Sequence, residues 1–372
     1  MWIIYIAVIL ISLYLTINNR NNKLVNLLLI FLMALLVAAP RVGYDTDAFT
    51  NIYNTYADGS HTLPFKEGMR LVPYAFLMRI FYIFGIHTLY AFKFVTILIL
   101  LLILESRSRK ITSNFSMWIF FYACSLFTLD AIQARNHIAL CLMMIAFTYL
   151  VEGGKNNDIK FCLIMLIAVM IHITFIVYFS LLIAKYADNT ISRYAKPFVI
   201  GCIGFIFACY FCRPILNGLT LIPRLCLSKY FLHFFEDQAK LGFVLVFVIY
   251  VAFVMMLFYV SKRYKHISVK GAEVEKHNKE HSIILNEMVL LFPLMVLCLY
   301  SVSIERFLRN LIVICLFSIC NYIQDCQNYL ERRNLKIALF LICTYVFVYQ
   351  NYLTGPASDI VEAVLKGKLF FT

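Results

Sequence analysis

Leu98-Ile99-Leu100-Leu101-Leu102-Ile103-Leu104 is an unbroken apolar stretch that decides the class of fold. A strand of a membrane β-barrel alternates apolar and polar side chains, whereas this stretch is apolar on every face. A helix that crosses a bilayer needs about 20 mostly apolar residues, and this stretch ends a run of about that length that begins near residue 88. The stretch therefore predicts a transmembrane α-helix.

The rest of the chain has the same character. Of its 372 residues, 62% are hydrophobic and 14% are charged, whereas a soluble domain has about 45–50% apolar and about 25% charged residues. The sequence predicts an all-α, polytopic integral membrane protein with about 10–12 transmembrane helices, forming a single transmembrane domain over 1–372. The apolar runs lie at about 1–17, 23–39, 71–85, 88–104, 115–131, 136–151, 160–184, 197–216, 241–260, 283–303, 307–323 and 336–353.

Two of these runs are predicted to be re-entrant or broken segments. Run 71–85 is short and contains Pro73 and Arg79, which favours a half-buried or re-entrant helix. Run 160–184 has His172 at its centre, and a reversal there leaves both of its ends on one side of the membrane. With both changes, most Lys and Arg residues fall on inner loops, as the positive-inside rule requires. This topology makes 40–70 and 217–240 outer loops, makes 261–281 a solvated cytoplasmic linker loop, and places both termini outside.

Charge and motifs exclude several classes of function. The net charge of +13 is suited to lipid headgroups or an anionic substrate, and the chain has little surface for nucleic acid. Most of the 12 cysteines lie inside apolar runs, without a disulfide or zinc pattern. The chain has no G-x-x-x-x-G-K-[ST], H-E-x-x-H or G-x-S-x-G motif. We therefore expect no metal and no cofactor.

The charged residues that are costly near a membrane collect on the outer side of the predicted topology. Such groups usually face a cavity and indicate function, although any one arginine can also extend to the lipid headgroups. The candidates of this outer cluster, together with a neighbouring amide, are Arg41, Asp45, Asp47, Glu67, Gln133, Arg135, His172, Arg306 and Arg309.

Three positions in this cluster suggest particular chemistry. Arg135 begins a helical run, where the helix dipole disfavours a cation; an arginine beside free helix N–H groups suits a diphosphate or an oxyanion. Asp45 and Asp47 either cap the helix that follows or act on a substrate hydroxyl. His172 either hydrogen-bonds a backbone carbonyl at the bend or serves as a general base or sugar contact.

In their order along the chain, these residues resemble the EpsG-like family of bacterial exopolysaccharide proteins, which is related in role to the Wzy-type O-antigen polymerases. Two positions depart from the family pattern: Asn136 follows the central arginine where the family usually has Gln, and Thr174-Phe175 replaces a pair of small residues. The resemblance rests on Arg41-Val42-Gly43-Tyr44-Asp45 followed by Tyr53, on Glu67-Gly68, on Arg135 with Ala139, on His172-Ile173-Thr174, and on Arg306.

The resemblance implies a polymerase of the bacterial inner membrane with a fold similar to the GT-C glycosyltransferases. Such an enzyme joins undecaprenyl-diphosphate-linked oligosaccharide repeat units at the periplasmic face. Besides this substrate and membrane lipids, its expected partners are the chain-length regulator and flippase proteins of the same pathway.

On this hypothesis each candidate residue has an expected role. Arg135 and Arg306 would bind the diphosphates, and Arg41 would bind a second anionic group or the acceptor sugar. Asp45, Asp47 or His172 would orient or deprotonate the acceptor hydroxyl, with Glu67, Gln133 and Arg309 as further substrate contacts. Three alternatives stay open: a flippase or transporter of the same lipid-linked sugars, an O-antigen ligase, and a sugar acyltransferase.

Overall fold

The computed structural model describes residues 1–40, 44–59, 71–112, 114–211, 240–264, 272–299, 305–353 and 360–367, and within these ranges the regular structure is helical. Two 3₁₀ segments, Ile173–Phe179 and Phe292–Leu299, and a π-helical turn, Tyr349–Leu353, interrupt or extend the α-helices. The α-helices are α1 Trp2–Ile17, α2 Lys23–Ala38, α3 Tyr44–Tyr56, α4 Val72–Ile83, α5 Leu89–Ser108, α6 Phe115–Ala123, α7 Phe127–Ile132, α8 Ala134–Glu152, α9 Lys155–Ile171, α10 Ser180–Phe211, α11 Lys240–Tyr264, α12 Ala272–Leu291, α13 Arg306–Asp325, α14 Tyr329–Val348 and α15 Val361–Leu365.

Six of the described helical segments are long and apolar enough to cross a membrane, which confirms the all-α polytopic class. Shorter apolar helices accompany them, including α1, α2 and α4. The six are Leu89–Ser108, Ala134–Glu152, Gly242–Tyr264, Val274–Leu299, Arg306–Asp325 and Tyr329–Leu353.

The chain forms two compact units, and the first comprises Met1–Phe179 with Cys320–Thr372. Its central helix is α8, which packs against α5 and α9. All residues of α6 are buried, and this helix lies against α1. The prediction of a single domain over 1–372 stays a prediction.

The chain reverses at His172. This residue ends α9 with extended backbone (φ −144°, ψ 108°), and the 3₁₀ segment follows at once. The ring centroids of Phe161 and Phe179 lie 6.2 Å apart, whereas a continuous helix would separate these residues by about 27 Å along its axis. The predicted reversal at the centre of run 160–184 is confirmed.

Two other runs are irregular, and the half-buried or re-entrant placement of run 71–85 stays a prediction. Helix α4 has 12 residues, about 18 Å of helix, which is too short for a simple crossing of a hydrocarbon core of about 30 Å. Run 115–131, expected as one crossing, is broken between α6 and α7 at residues 124–126. No glycine or proline marks this break, so tertiary packing decides it.

The second unit, Ser180–Ile319, contains α10, α11, α12 and most of α13. Residues 265–271 of the predicted solvated loop at 261–281 lie outside the described residues, and the structure of the rest differs from that prediction. Residues 272–281 belong to α12, and the side chain of His281 is 1% exposed. Its Nδ1 lies 2.7 Å from the Ser318 hydroxyl, and its ring packs on Tyr264. Among the polar residues that suggested a loop, His277, Glu280 and His281 are buried within the unit, whereas Glu275, Asn278 and Lys279 are exposed on α12.

Candidate functional site

Arg135 lies in the first turn of α8, immediately after a sharp break from α7. Gln133 ends α7 and begins α8 with φ −91° and ψ 59°, and its side chain makes no capping hydrogen bond. Gln133 and Arg135 are partly exposed, whereas Ala134 and Asn136 are buried. The positive end of α8 and a guanidinium therefore meet at one partly exposed point, which suits an anionic group.

An aromatic ring from α3 packs against this arginine. The guanidinium carbon of Arg135 lies 5.5 Å from the centroid of the Phe49 ring, a cation–π distance. The Phe49 ring in turn packs edge-on against Tyr74, and Tyr74 against Phe92. Helix α3 is thus held against α4 and α5 by aromatic contacts, and these contacts fix the Phe49 ring beside Arg135.

Helix α3 also carries the predicted acidic pair. Asp45 and Asp47 belong to its first turn, within one turn of Phe49, and their side chains lie outside the described part of the structure. Arg41 and Glu67 lie outside the described residues altogether. The structure therefore brings the helix of the acidic pair to Arg135 and leaves the roles of all four residues as predictions.

Tyr53 fixes the other end of α3. Its hydroxyl donates a hydrogen bond to the carbonyl of Ile86 over 2.5 Å, in the turn between α4 and α5. Burial raises the pKa of the Tyr53 phenol to about 12, so the hydroxyl stays a neutral donor at physiological pH. This bond ties α3 to the α4–α5 turn at a point one turn beyond Phe49.

His172 lies at the same end of the α8–α9 pair as Arg135. The two helices pack along their lengths and are joined by Gly153 and Gly154, whose φ values of 75° and 91° permit the tight reversal. Since the helices are antiparallel and nearly equal in length, the end of α9 returns to the start of α8.

The His172 side chain is partly exposed and makes local contacts. Its Nδ1 lies 2.7 Å from the Thr174 hydroxyl, and its ring packs edge-on against Phe175. Thr174 and Phe175 form one of the two departures from the family pattern. This contact fixes one ring nitrogen at the bend, and the group it meets is the Thr174 hydroxyl.

Arg306 and Arg309 belong to the second unit and have different surroundings. Arg306 begins α13 and is exposed, whereas Arg309 is 3% exposed and lies between buried Glu305 and buried Asn310 in sequence. The structure describes these arginines within their own unit, and their predicted roles in substrate binding stay predictions. Among the described residues, no group of three or more His, Cys, Asp and Glu is placed to bind a metal ion.

A buried polar network behind Arg135 was not predicted as part of the site. Asp130 on α7 is fully buried, and its two oxygens accept hydrogen bonds from the Tyr122 hydroxyl (2.8 Å) and the Asn136 amide (3.1 Å). The Nε2 of His137 lies 3.4 Å from the same hydroxyl. An acid inside an apolar run was the available sequence signal, since such residues are expensive and indicate a role.

Comparison with known proteins gives one match that covers most of the chain. The model of the EpsG family matches residues 22–361. No curated protein and no solved structure matches the chain. The family match spans every described element from α2 to the start of α15, so it includes the turn that carries Arg135 and the reversal at His172.

Proposed function

The chain belongs to the EpsG family, and on this premise we propose that it joins undecaprenyl-diphosphate-linked oligosaccharide repeat units at the periplasmic face of the bacterial inner membrane. Family membership supports a polysaccharide polymerase-like role. The observation that carries the finer proposal is the partly exposed Arg135 in the first turn of α8, beside Phe49.

The proposed reaction transfers the growing chain to the incoming unit. A hydroxyl of the incoming repeat unit attacks the anomeric carbon of the growing chain, forming the new glycosidic C–O bond. The bond between that carbon and the diphosphate oxygen breaks, and undecaprenyl diphosphate leaves with the electron pair. The hydroxyl proton passes to a base. Because the diphosphate is a good leaving group, the main demand on the protein is to stabilise negative charge on its oxygens.

Arg135 meets that demand at the start of α8. A guanidinium donates two parallel hydrogen bonds to phosphate oxygens and stays charged at every physiological pH. The N–H groups of the first turn add donors, and the helix dipole adds positive potential. The Phe49 ring limits where the guanidinium can move, which favours a fixed geometry over a mobile surface cation.

The acceptor side of the reaction is assigned to the acidic pair and His172. A neutral imidazole nitrogen accepts a proton near pH 7, and a carboxylate of Asp45 or Asp47 orients a sugar hydroxyl. Support comes from the return of α9 to the start of α8 and from the contact of α3 with Arg135. Arg41, Glu67, Gln133, Arg306 and Arg309 are proposed as further contacts to substrate.

The test is made in the native host. We expect deletion of the gene to remove the long polysaccharide ladder on a sizing gel and to leave a single repeat unit on the carrier lipid or acceptor. Restoring the Arg135→Ala variant should give the same result with normal membrane insertion, whereas Arg107→Ala should restore chain growth, because Arg107 forms an ion pair with Glu152 at the opposite end of α8.

Other outcomes identify the alternatives. Accumulation of lipid-linked units on the inner leaflet would indicate a flippase, and loss of only an acyl mass would indicate an acyltransferase. Ladders that form normally on the carrier lipid but are not transferred would indicate a ligase. Polymer of normal length from Arg135→Ala would contradict the role of that residue.

A further inference from the structure

We propose that Asp130 is a positioning residue that fixes the first turn of α8 and, through it, the guanidinium of Arg135. The inference rests on the proposed function, because it concerns the same site. Asp130 is fully buried, so it acts through its neighbours and not by touching the substrate. None of the candidate roles assigned from the sequence includes this residue.

The two carboxylate oxygens of Asp130 connect different helices. Oδ2 accepts the hydrogen bond of the Tyr122 hydroxyl on α6 at 2.8 Å. Oδ1 accepts a hydrogen bond from the side-chain amide of Asn136 at 3.1 Å, and Asn136 directly follows Arg135 in the first turn of α8. A single side chain on α7 thus joins the scaffold helix α6 to the turn that carries the arginine.

The scaffold end of this connection is rigid. The Tyr122 ring stacks on Trp118 with centroids 5.1 Å apart and packs edge-on against Phe127. The Tyr122 hydroxyl also lies 3.4 Å from Nε2 of His137. Both residues after Arg135 therefore contact one network of buried, tightly packed groups, and the direction in which the Arg135 side chain leaves the helix is fixed.

Fold stability alone does not explain why position 130 carries a buried carboxylate. Replacing buried ionisable groups by apolar residues of similar volume is often neutral or stabilising, and every other position of α7 except Thr128 is apolar. At the start of α8 the Gln133 side chain makes no capping hydrogen bond. Asp130 instead supplies an acceptor behind this turn, close to the positive end of the helix. Asp130 therefore contributes by fixing the position of the Arg135 guanidinium. Displacement of a catalytic group by about 1 Å can lower the rate about 100-fold.

A double-mutant cycle separates positioning from general stability. Binding of undecaprenyl diphosphate to the full-length protein in detergent micelles is the readout, for four proteins: unchanged, Asp130→Asn, Arg135→Ala, and the double variant. We expect Asp130→Asn to weaken binding about tenfold when Arg135 is present, and less than about twofold in the Arg135→Ala background. A residue that only stabilises the fold would give the same factor in both backgrounds.

Tyr122→Phe and Tyr5→Phe form a matched pair for the case in which Asp130→Asn does not fold. Both replacements remove one buried hydroxyl, but within the described part of the chain the Tyr5 hydroxyl donates to the backbone carbonyl of Ala123 over 2.8 Å and makes no described contact with the Asp130 network. We expect Tyr122→Phe to weaken binding of undecaprenyl diphosphate severalfold and Tyr5→Phe to leave it unchanged.

The outcomes distinguish this inference from the proposed function. If Arg135→Ala weakens binding but Asp130→Asn and Tyr122→Phe do not, or if Asp130→Asn acts equally in both backgrounds, the positioning role is wrong and the role of Arg135 stands. If Arg135→Ala itself leaves binding unchanged, the assignment of the diphosphate to Arg135 fails and the positioning role fails with it.

Discussion

Replacing Ser180 by Ala is expected to destabilise the second unit by about 1–3 kcal/mol. The Ser180 hydroxyl donates a 2.6 Å hydrogen bond to Oε1 of Glu287. Glu287 is fully buried, and its Oε2 has no hydrogen-bond partner among the described residues. Removing the hydroxyl therefore leaves the whole carboxyl group buried without a described partner. This cost corresponds to about a 5- to 150-fold change in the folding equilibrium.

Ser12→Ala is the matched control. Ser12 is also fully buried, but its hydroxyl donates to the carbonyl of Val8 four residues earlier in the same helix, which the backbone of α1 already pairs. We expect this replacement to change the free energy of unfolding by less than about 0.5 kcal/mol. The assay is reversible unfolding of the full-length protein in mixed micelles, followed by circular dichroism.

A second cycle tests the cause of the effect. In a Glu287→Met background the carboxyl group that Ser180 serves is absent, so Ser180→Ala should cost little, and Glu287→Met alone should be neutral or stabilising. The reasoning is refuted if Ser180→Ala costs no more than Ser12→Ala, or if its cost is the same with and without Glu287.

Two further predictions concern the first unit. Lys336→Met should lower the free energy of unfolding by about 1 kcal/mol, because the ammonium group donates to the Thr16 carbonyl (2.6 Å) at the end of α1. Its control is Lys366→Met, which breaks an exposed ion pair and should lower the free energy of unfolding by less than about 0.5 kcal/mol in the same assay. Cys162 is partly exposed and Cys141 is buried. A variant that keeps only Cys162 should therefore react with maleimide at least about tenfold faster than one that keeps only Cys141. Equal rates would contradict the described packing of α8.

The class of fold follows from the sequence because a membrane imposes simple requirements. Long apolar runs must be helical, and the position of His172 inside run 160–184 was enough to predict a reversal. The break within run 115–131 carries no such signal, since Cys124, Ser125 and Leu126 are compatible with a continuous helix. Packing of α6 and α7 against the rest of the unit determines that break, and packing is not visible in a local pattern.

The polar composition of residues 272–281 predicts a solvated loop, whereas these residues belong to a helix. His277, Glu280 and His281 look like residues of a solvated loop, yet all three are buried in α12. The described partner of His281 is Ser318, which lies 37 residues later in the sequence. A single sequence gives the residue types and not the pairs, so the cost of burial could not be weighed against the bonds that offset it.

The sequence predicts the candidate site only in part, because it does not show which side chains meet. The placement of Arg135 at a helix start followed from the polar turn before it, and its position in α8 agrees with that interpretation. The Phe49 contact depends on α3, which is far from Arg135 in sequence. The Asp130 network depends on the break between α6 and α7, which no local pattern indicates. Asp130 was visible only as an acid in an apolar run, which indicates a role without naming the group it serves.

The most direct test of the central proposal is reconstitution of the purified protein in liposomes with undecaprenyl-diphosphate-linked repeat units as the sole substrate. We expect a ladder of products with two or more repeat units, one undecaprenyl diphosphate released for each new linkage, and no ladder with Arg135→Ala. Lipid-linked units that cross the bilayer without growing, or that gain an acyl group without growing, would contradict the proposal that this EpsG family member is a polymerase.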